Sequence, residues 1–226
     1  MTEFEKLYDS IDTYCGLSCA ACEFKESMNC GGCIATGGKP FHGSCAVADC
    51  AISRGKKFCG ECPDFPCDTL KSYSNDPEHG DTPPGTRIVS CAETKAALIK
   101  AARDGIDPQG VCGHHCDHCP FTKWCGGCRS QYPGCSFATL FDNRRCPNVT
   151  CAGEKGLDGC YSCPEAVDCQ KGYFGAEDGY TAKGAALYIS RHGKEAYARA
   201  LSKGAERPEG IDTPEKFAAF LESISI

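Results

Sequence analysis

Apolar positions fall in a few short stretches of helical period, separated by long polar runs rich in glycine and cysteine. At the N-terminus Phe4, Leu7, Tyr8 and Ile11 stand at i, i+3, i+4 and i+7, the spacing that lines one helix face, and Thr2 with Glu5 reads as a capping box. A second helix is predicted over 93–104. There Ser90 supplies the cap, Glu93 the other half of the box, and "ETKAALIKAARDG" stops at Gly105. A third, over 181–202, opens with "TAKGAALYISRHG", a loose echo of the second with Gly193 in the place of Gly105. The last is predicted over 213–223, where Thr213 caps, Pro214 takes the first helical position, and Phe217, Phe220 and Leu221 share a face. The turn formers of "DTLKSYSNDPEHGDTPPGT" read as a surface loop.

Composition changes this picture. The chain has 22 Cys in 226 residues, against one Trp and two Met. Such usage implies crosslinks or metal. The segment "MTEFEKLYDSIDTYC" lacks the basic and apolar regions of a secretory signal, and no apolar run is long enough to span a bilayer. A cytoplasmic location with no membrane partner is therefore expected. Because a reducing cytosol disfavours disulfides, metal is the expected use of the thiols.

The cysteines are spaced twice over in the same way. One series is Cys15, Cys19, Cys22, Cys30, Cys33, Cys45, Cys50, Cys59, Cys62 and Cys67; the other is Cys112, Cys116, Cys119, Cys125, Cys128, Cys146, Cys151, Cys160, Cys163 and Cys169. They match position for position, with length changes only between the third and fourth, the fifth and sixth, and the last two cysteines. This predicts a duplication. Four segments follow: residues 1–67, the N-terminal helix and first module; 68–111, a loop and linking helix; 112–171, the second module; and 172–226, a helical segment.

All 20 of these cysteines are candidate metal ligands. A C-x2-C turn aims two thiolates at one ion, and nearby backbone N–H groups donate to the sulfurs. Two such pairs make one tetrahedral zinc site. Structural zinc contributes roughly 10 to 16 kcal/mol in small zinc-finger peptides, enough to replace a missing apolar core. Two zinc ions per module, about four per chain, are expected. A binuclear six-thiolate cluster with one four-thiolate site would use all ten thiols of a module. Spacing alone makes Cys19, Cys22, Cys30 and Cys33 the most compact set.

Iron and sulfur are the alternative cofactor. C-x3-C-x2-C, in "CGLSCAAC" and "CGHHCDHC", is the spacing that holds the cluster of radical S-adenosylmethionine enzymes, but no strand-and-helix barrel pattern follows it. The Cys-Pro pairs at Cys62, Cys119, Cys146 and Cys163 suit a ferredoxin, yet the compact C-x2-C-x2-C-x3-C-P run does not occur.

"CGLSCAAC", "CGGC", the cysteines at 45 and 50, "CGECPDFPC" and the near repeat "CGHHCDHC...WCGGCRS" together resemble the cysteine-rich proteins classed as DUF3795, a domain of unknown function. The resemblance covers residues 12 to about 200, the "AALYISRHGKEAY" helix included. It implies a metal-binding fold and attaches no reaction.

The fold expected from these readings is small, irregular α+β: two tandem cysteine-rich metal-binding modules, zinc-ribbon or knuckle-like with short hairpins, joined and flanked by helices. The formal charge of −6 becomes more negative once thiolates outnumber the charge of their ions, which repels phosphate, so no nucleic-acid partner is expected. "SRGKKF" and the pair Arg144/Arg145 are read as solvated loops.

His114, His115 and His118 interrupt the second cysteine run and are read as surface or supporting groups rather than ligands. Phe121, Trp124, Tyr132, Phe137 and Phe141 are read as local core. Cys91 and Cys135 have no counterpart in the repeat. If Ser90 caps, Cys91 sits in a helix's first turn, where the dipole would activate it as a nucleophile; the competing reading is a buried small residue. With no Ser-His-Asp set, P-loop or dinucleotide fingerprint in place, the expectation is a zinc-thiolate binding or adaptor protein with a protein partner. The alternatives are an iron-sulfur redox protein of anaerobic metabolism, or a thiol enzyme using Cys91.

Overall fold

At the N-terminus the Thr2 hydroxyl accepts from the Glu5 amide (3.1 Å) and the Glu5 carboxylate accepts from the Thr2 amide (2.7 Å), so the capping box closes on both sides and starts α1, Glu3–Asp9. The computed structural model describes residues 1–132, 134–136, 138 and 146–225. Within these the chain forms two compact units, Met1–Ala101 and Ala102–Ile226.

The first unit holds α1, α2 (Phe24–Ser27), α3 (Ala46–Ser53), α4 (Asp68–Ser74) and most of α5 (Thr86–Arg103). Helix α3 buries Val47, Ala48 and Ala51 and packs on α4, which buries Leu70. Residues 68–74 are thus helical, where a loop was expected: burial of Leu70 outweighs the turn-forming composition around it.

Helix α5 also differs from expectation, starting at Thr86 rather than at 93. Asp81 sets the start: its carboxylate accepts from the Arg87 amide (2.7 Å), pairs with the Arg87 guanidinium, and takes the Ser74 hydroxyl. A carboxylate on a first-turn N–H, that of Arg87, does what Ser90 was expected to do. Cys91 consequently falls inside the helix.

The second unit holds α6 (Pro147–Glu154), α7 (Gly179–His192), α8 (Lys194–Ser202) and α9 (Pro214–Ser225). Its core gathers Val111, Phe174, Tyr188, Ile189, Tyr197 and Leu221. The helix expected over 181–202 is two: Gly193, at φ +84°, ends α7 by donating to the Ile189 carbonyl (2.8 Å), and α8 follows at once. Gly184 lets α9 lie close on α7, since a Cβ there would come within 2.6 Å of the Pro214 carbonyl oxygen. Thr213 caps α9 as expected, accepting from the Lys216 amide.

The α+β, zinc-ribbon expectation does not hold. Among the described residues the structure is 49% helix with 1% strand and no sheet, and the pairing seen there is an isolated bridge between Gln109 and His115. Four C-x2-C steps show why. In each, the second cysteine's amide donates to the first one's carbonyl: Cys22 to Cys19 (3.3 Å), Cys62 to Cys59 (3.0 Å), Cys119 to Cys116 (3.2 Å) and Cys163 to Cys160 (3.0 Å). A 3-10 turn closed by its own ends leaves no extended backbone for a hairpin ladder.

Candidate metal centres

In the first unit four thiols line one cavity of about 20 Å³: Cys50 on α3, Cys59 and Cys62 at the ends of a 3-10 turn, and Cys67 at the N-cap of α4. Arg54, one turn after Cys50, donates to the Cys62 sulfur (3.5 Å) and pairs with Asp64.

The second unit repeats this arrangement in the matching residues. Cys151 on α6, Cys160, Cys163 and Cys169 line a cavity of about 50 Å³. Lys155, one turn after Cys151, donates to the Cys163 sulfur (3.8 Å) and pairs with Glu165 (2.8 Å). Further donors converge here: Lys171 Nζ on Cys151 (3.2 Å), the Lys171 amide on Cys169 (3.4 Å) and the buried Asn148 on Cys160 (3.8 Å).

A second group of thiols forms nearer the start of each module. Burial first, then the neighbouring Cys15, Cys45 and Cys19, push the Cys33 thiol up to about 11. In the second unit Cys112, Cys128, Cys135 and Cys146 line a cavity of about 40 Å³ beside His114 and Tyr173. Of the expected compact set of Cys19, Cys22, Cys30 and Cys33, Cys19 is among the thiols beside Cys33. Cys22 is exposed and lines an open depression of about 750 Å³ with Cys19, Asp9, Asp12, Glu23 and Glu26.

Two backbone features tie the groups of each unit together. The Cys59 amide donates to the Tyr14 carbonyl and the Cys160 amide to the Val111 carbonyl, both at 2.7 Å, so the residue before each module's first cysteine is held against its eighth. The glycine after that first cysteine has positive φ, +89° at Gly16 and +105° at Gly113, and lies hard against a helix. A Cβ on Gly16 would come within 2.5 Å of the Cys91 sulfur, and one on Gly113 within 2.8 Å of the Ala182 carbonyl oxygen.

All 22 cysteines are free thiols. Burial pushes Cys59 and Cys112 up, Cys160 up to about 11 and Cys116 up to about 11, with neighbouring thiols adding to the rise. Several thiols facing one cavity cannot all ionise unless a cation offsets them. The donor set suits a thiophilic divalent ion, and the Arg and Lys groups beside the sulfurs suit a centre left with excess negative charge. Among the described residues no group of three or more His, Cys, Asp or Glu is arranged to hold a metal ion as it stands. The fit is one of donor type and cavity size, with the thiols placed along the cavity walls.

Other residues singled out in the sequence fall as follows. Cys91 is wholly buried, its thiol donates to the Cys15 carbonyl (3.2 Å), and burial pushes it up to about 12. The activated-nucleophile reading is overturned, because the helix begins five residues before Cys91 and packs it inward. His114 stacks edge-on against Tyr173 at the cavity wall, and burial lowers its pKa. His115 packs against His118. Trp124 (65% exposed) and Phe121 (45%) are on the surface, against the local-core reading. Phe137, Phe141, Arg144 and Arg145 lie outside the described residues.

Sequence reasoning passed over Arg54 as part of a solvated loop, and passed over Lys155 entirely. The signal was present: each stands four residues after the seventh cysteine of its module, and each pairs with the acidic residue of a Cys-Pro-Asp or Cys-Pro-Glu step.

The fold and sites define a helical, cysteine-dense protein with clustered thiols. Residues 11–72 match the family described as a protein of unknown function, DUF3795, so the resemblance read from the cysteine motifs is shown for that segment. No curated protein matches the chain. No solved structure matches it either. Among the described residues no helix is long and apolar enough to cross a membrane.

Proposed function

We propose that this chain is a zinc-binding protein built from a duplicated module, each copy folding around thiolate-bound metal, and that it serves as a binding or adaptor protein for another protein. The observation that carries the reading is the pair of four-thiol cavities, Cys50/Cys59/Cys62/Cys67 and Cys151/Cys160/Cys163/Cys169, each with a cation held against the third thiol by a carboxylate. Four thiolates around one zinc ion carry a net charge of about −2. Lys155 and Lys171 stand where they offset it.

The role is read as binding because the one thiol proposed for catalysis, Cys91, is buried and held by a backbone carbonyl. Aromatic side chains on the surface, Phe24 stacked on Phe41 (4.8 Å) and Trp124, suit contact with a partner.

The test is elemental analysis by plasma mass spectrometry with a visible spectrum, on protein purified without air. About four zinc per chain and no absorbance near 400 nm are expected from the thiol count. Iron with acid-labile sulfide would replace this reading with an iron-sulfur redox protein.

A further inference from the structure

The second module carries a thiol that the first lacks. Between its fifth and sixth cysteines, Cys128 and Cys146, the chain is longer than between Cys33 and Cys45, and the longer segment includes Cys135. Spacing left Cys135 outside the duplicated series. The fold brings it back: Cys135 shares a cavity of about 40 Å³ with Cys112, Cys128 and Cys146.

The backbone aims it there. The Ser136 amide donates to the Cys125 sulfur (3.1 Å) and the Gly126 amide to the Gly134 carbonyl (3.1 Å), so the residues on either side of Cys135 are pinned to the C-x2-C turn that holds Cys125 and Cys128. The Ser130 hydroxyl donates to the Tyr132 carbonyl (2.8 Å) and closes the turn before it. In the first unit the thiols around Cys33 are Cys15, Cys45 and Cys19, and residues 34–44 contain no cysteine.

We infer that Cys135 is a metal ligand, completing a four-thiolate site with Cys112, Cys128 and Cys146 that has no equivalent ligand set in the first module. This rests on the zinc-thiolate reading and deepens it. Four protein ligands make a closed, structural site. The second unit thereby has a fourth thiol drawn from its own insertion, while in the first unit the thiols beside Cys33 are Cys15, Cys45 and Cys19.

The experiment uses the full chain loaded with cadmium-113 in place of zinc, comparing wild type with Cys135→Ser and Cys135→Ala. One all-thiolate resonance is expected to shift or vanish in both variants while the resonances of the other sites stay, with one tightly bound ion per chain fewer by native mass spectrometry. Identical spectra and ion counts in wild type and both variants would overturn the inference and leave the zinc-thiolate reading intact. A wild-type chain that binds no cadmium or zinc overturns that reading and this one with it. A readout on unmutated protein guards against misfolded variants: alkylation of Cys135, mapped by mass spectrometry, should slow at least tenfold when zinc is present. Equal rates with zinc and with a chelator would remove Cys135 from the site.

Discussion

The amide of Cys59 donates to the carbonyl of Tyr14 at 2.7 Å, so the first thiol of a C-x2-C turn is fastened to the residue that precedes the module's first cysteine. The same bond, at the same length, joins Cys160 to Val111. Each unit therefore links its two thiol groups through one short backbone bond, which also satisfies a buried cysteine's amide.

The basic groups beside the sulfurs should set metal affinity. Lys171→Met and Lys155→Met remove cations from Cys151 and Cys163 while keeping the aliphatic stem. Each is expected to weaken zinc binding by about tenfold, the lower end of the effect of removing an outer-shell partner. Competition with a chromophoric chelator measures this, and unchanged affinity in both variants would show that the cations are surface decoration.

Gly16 should tolerate no side chain. Ala there meets the Cys91 sulfur at 2.5 Å in a backbone conformation of φ +89°. Overpacking and left-handed strain together predict a loss of about 3 kcal/mol for Gly16→Ala. Pairing it with Cys91→Ala should recover part of the loss, since the sulfur contact goes while the Cys91 amide nitrogen at 2.9 Å and the strain stay. Urea unfolding of the two variants checks the loss and its partial recovery.

Cys91 should be inert. Burial pushes its thiol up to about 12, which leaves a thiolate fraction at pH 8 far below that of free cysteine. Alkylation of Cys91 in the native protein is expected to run more than about a hundredfold slower than that of free cysteine. Reaction at the free rate would contradict the packing of α5 against Gly16.

The ion-pair network around Lys194 gives a pH dependence with a defined sign. Lys194 pairs with Asp107 (2.7 Å) and Asp158 (2.6 Å), and its hydrogen bond, with that of Tyr161, holds Asp158 at about 2. A lowered folded-state value stabilises the fold above the ordinary aspartate range, and the contribution is lost as pH falls toward 2. Asp158→Asn should therefore cost about 1 kcal/mol near neutrality, a partly exposed network after solvent screening. The gap to wild type should close between about pH 4 and 2. Thermal unfolding of both proteins at matched pH tests this; a gap that widens in acid would refute the assignment.

What could be read in advance was local. The Thr2/Glu5 box and Thr213 and Pro214 at the start of α9 act within a few residues, so sequence spacing suffices to place them, whereas the break at Gly193 was not read from the spacing. The start of α5 was misplaced because its cap, Asp81, lies five residues before the helix in a stretch that reads as loop. Among the described residues the hairpins expected of a zinc ribbon are absent, and four of the C-x2-C steps, those at Cys19, Cys59, Cys116 and Cys160, spend their backbone on a 3-10 turn.

The sequence by itself determined which cysteines make the two parallel series and, within the first, the match to DUF3795 over residues 11–72. Only the tertiary structure decided that Cys50, Cys59, Cys62 and Cys67 share one cavity, that Arg54 leans on one of those sulfurs, and that Cys135 joins a group its spacing excludes. The reason is physical. Spacing fixes the reach of neighbouring thiols along the chain, whereas the meeting of distant ones depends on which loops close over which helix, and glycines such as Gly16 settle that by letting backbone approach where no side chain fits.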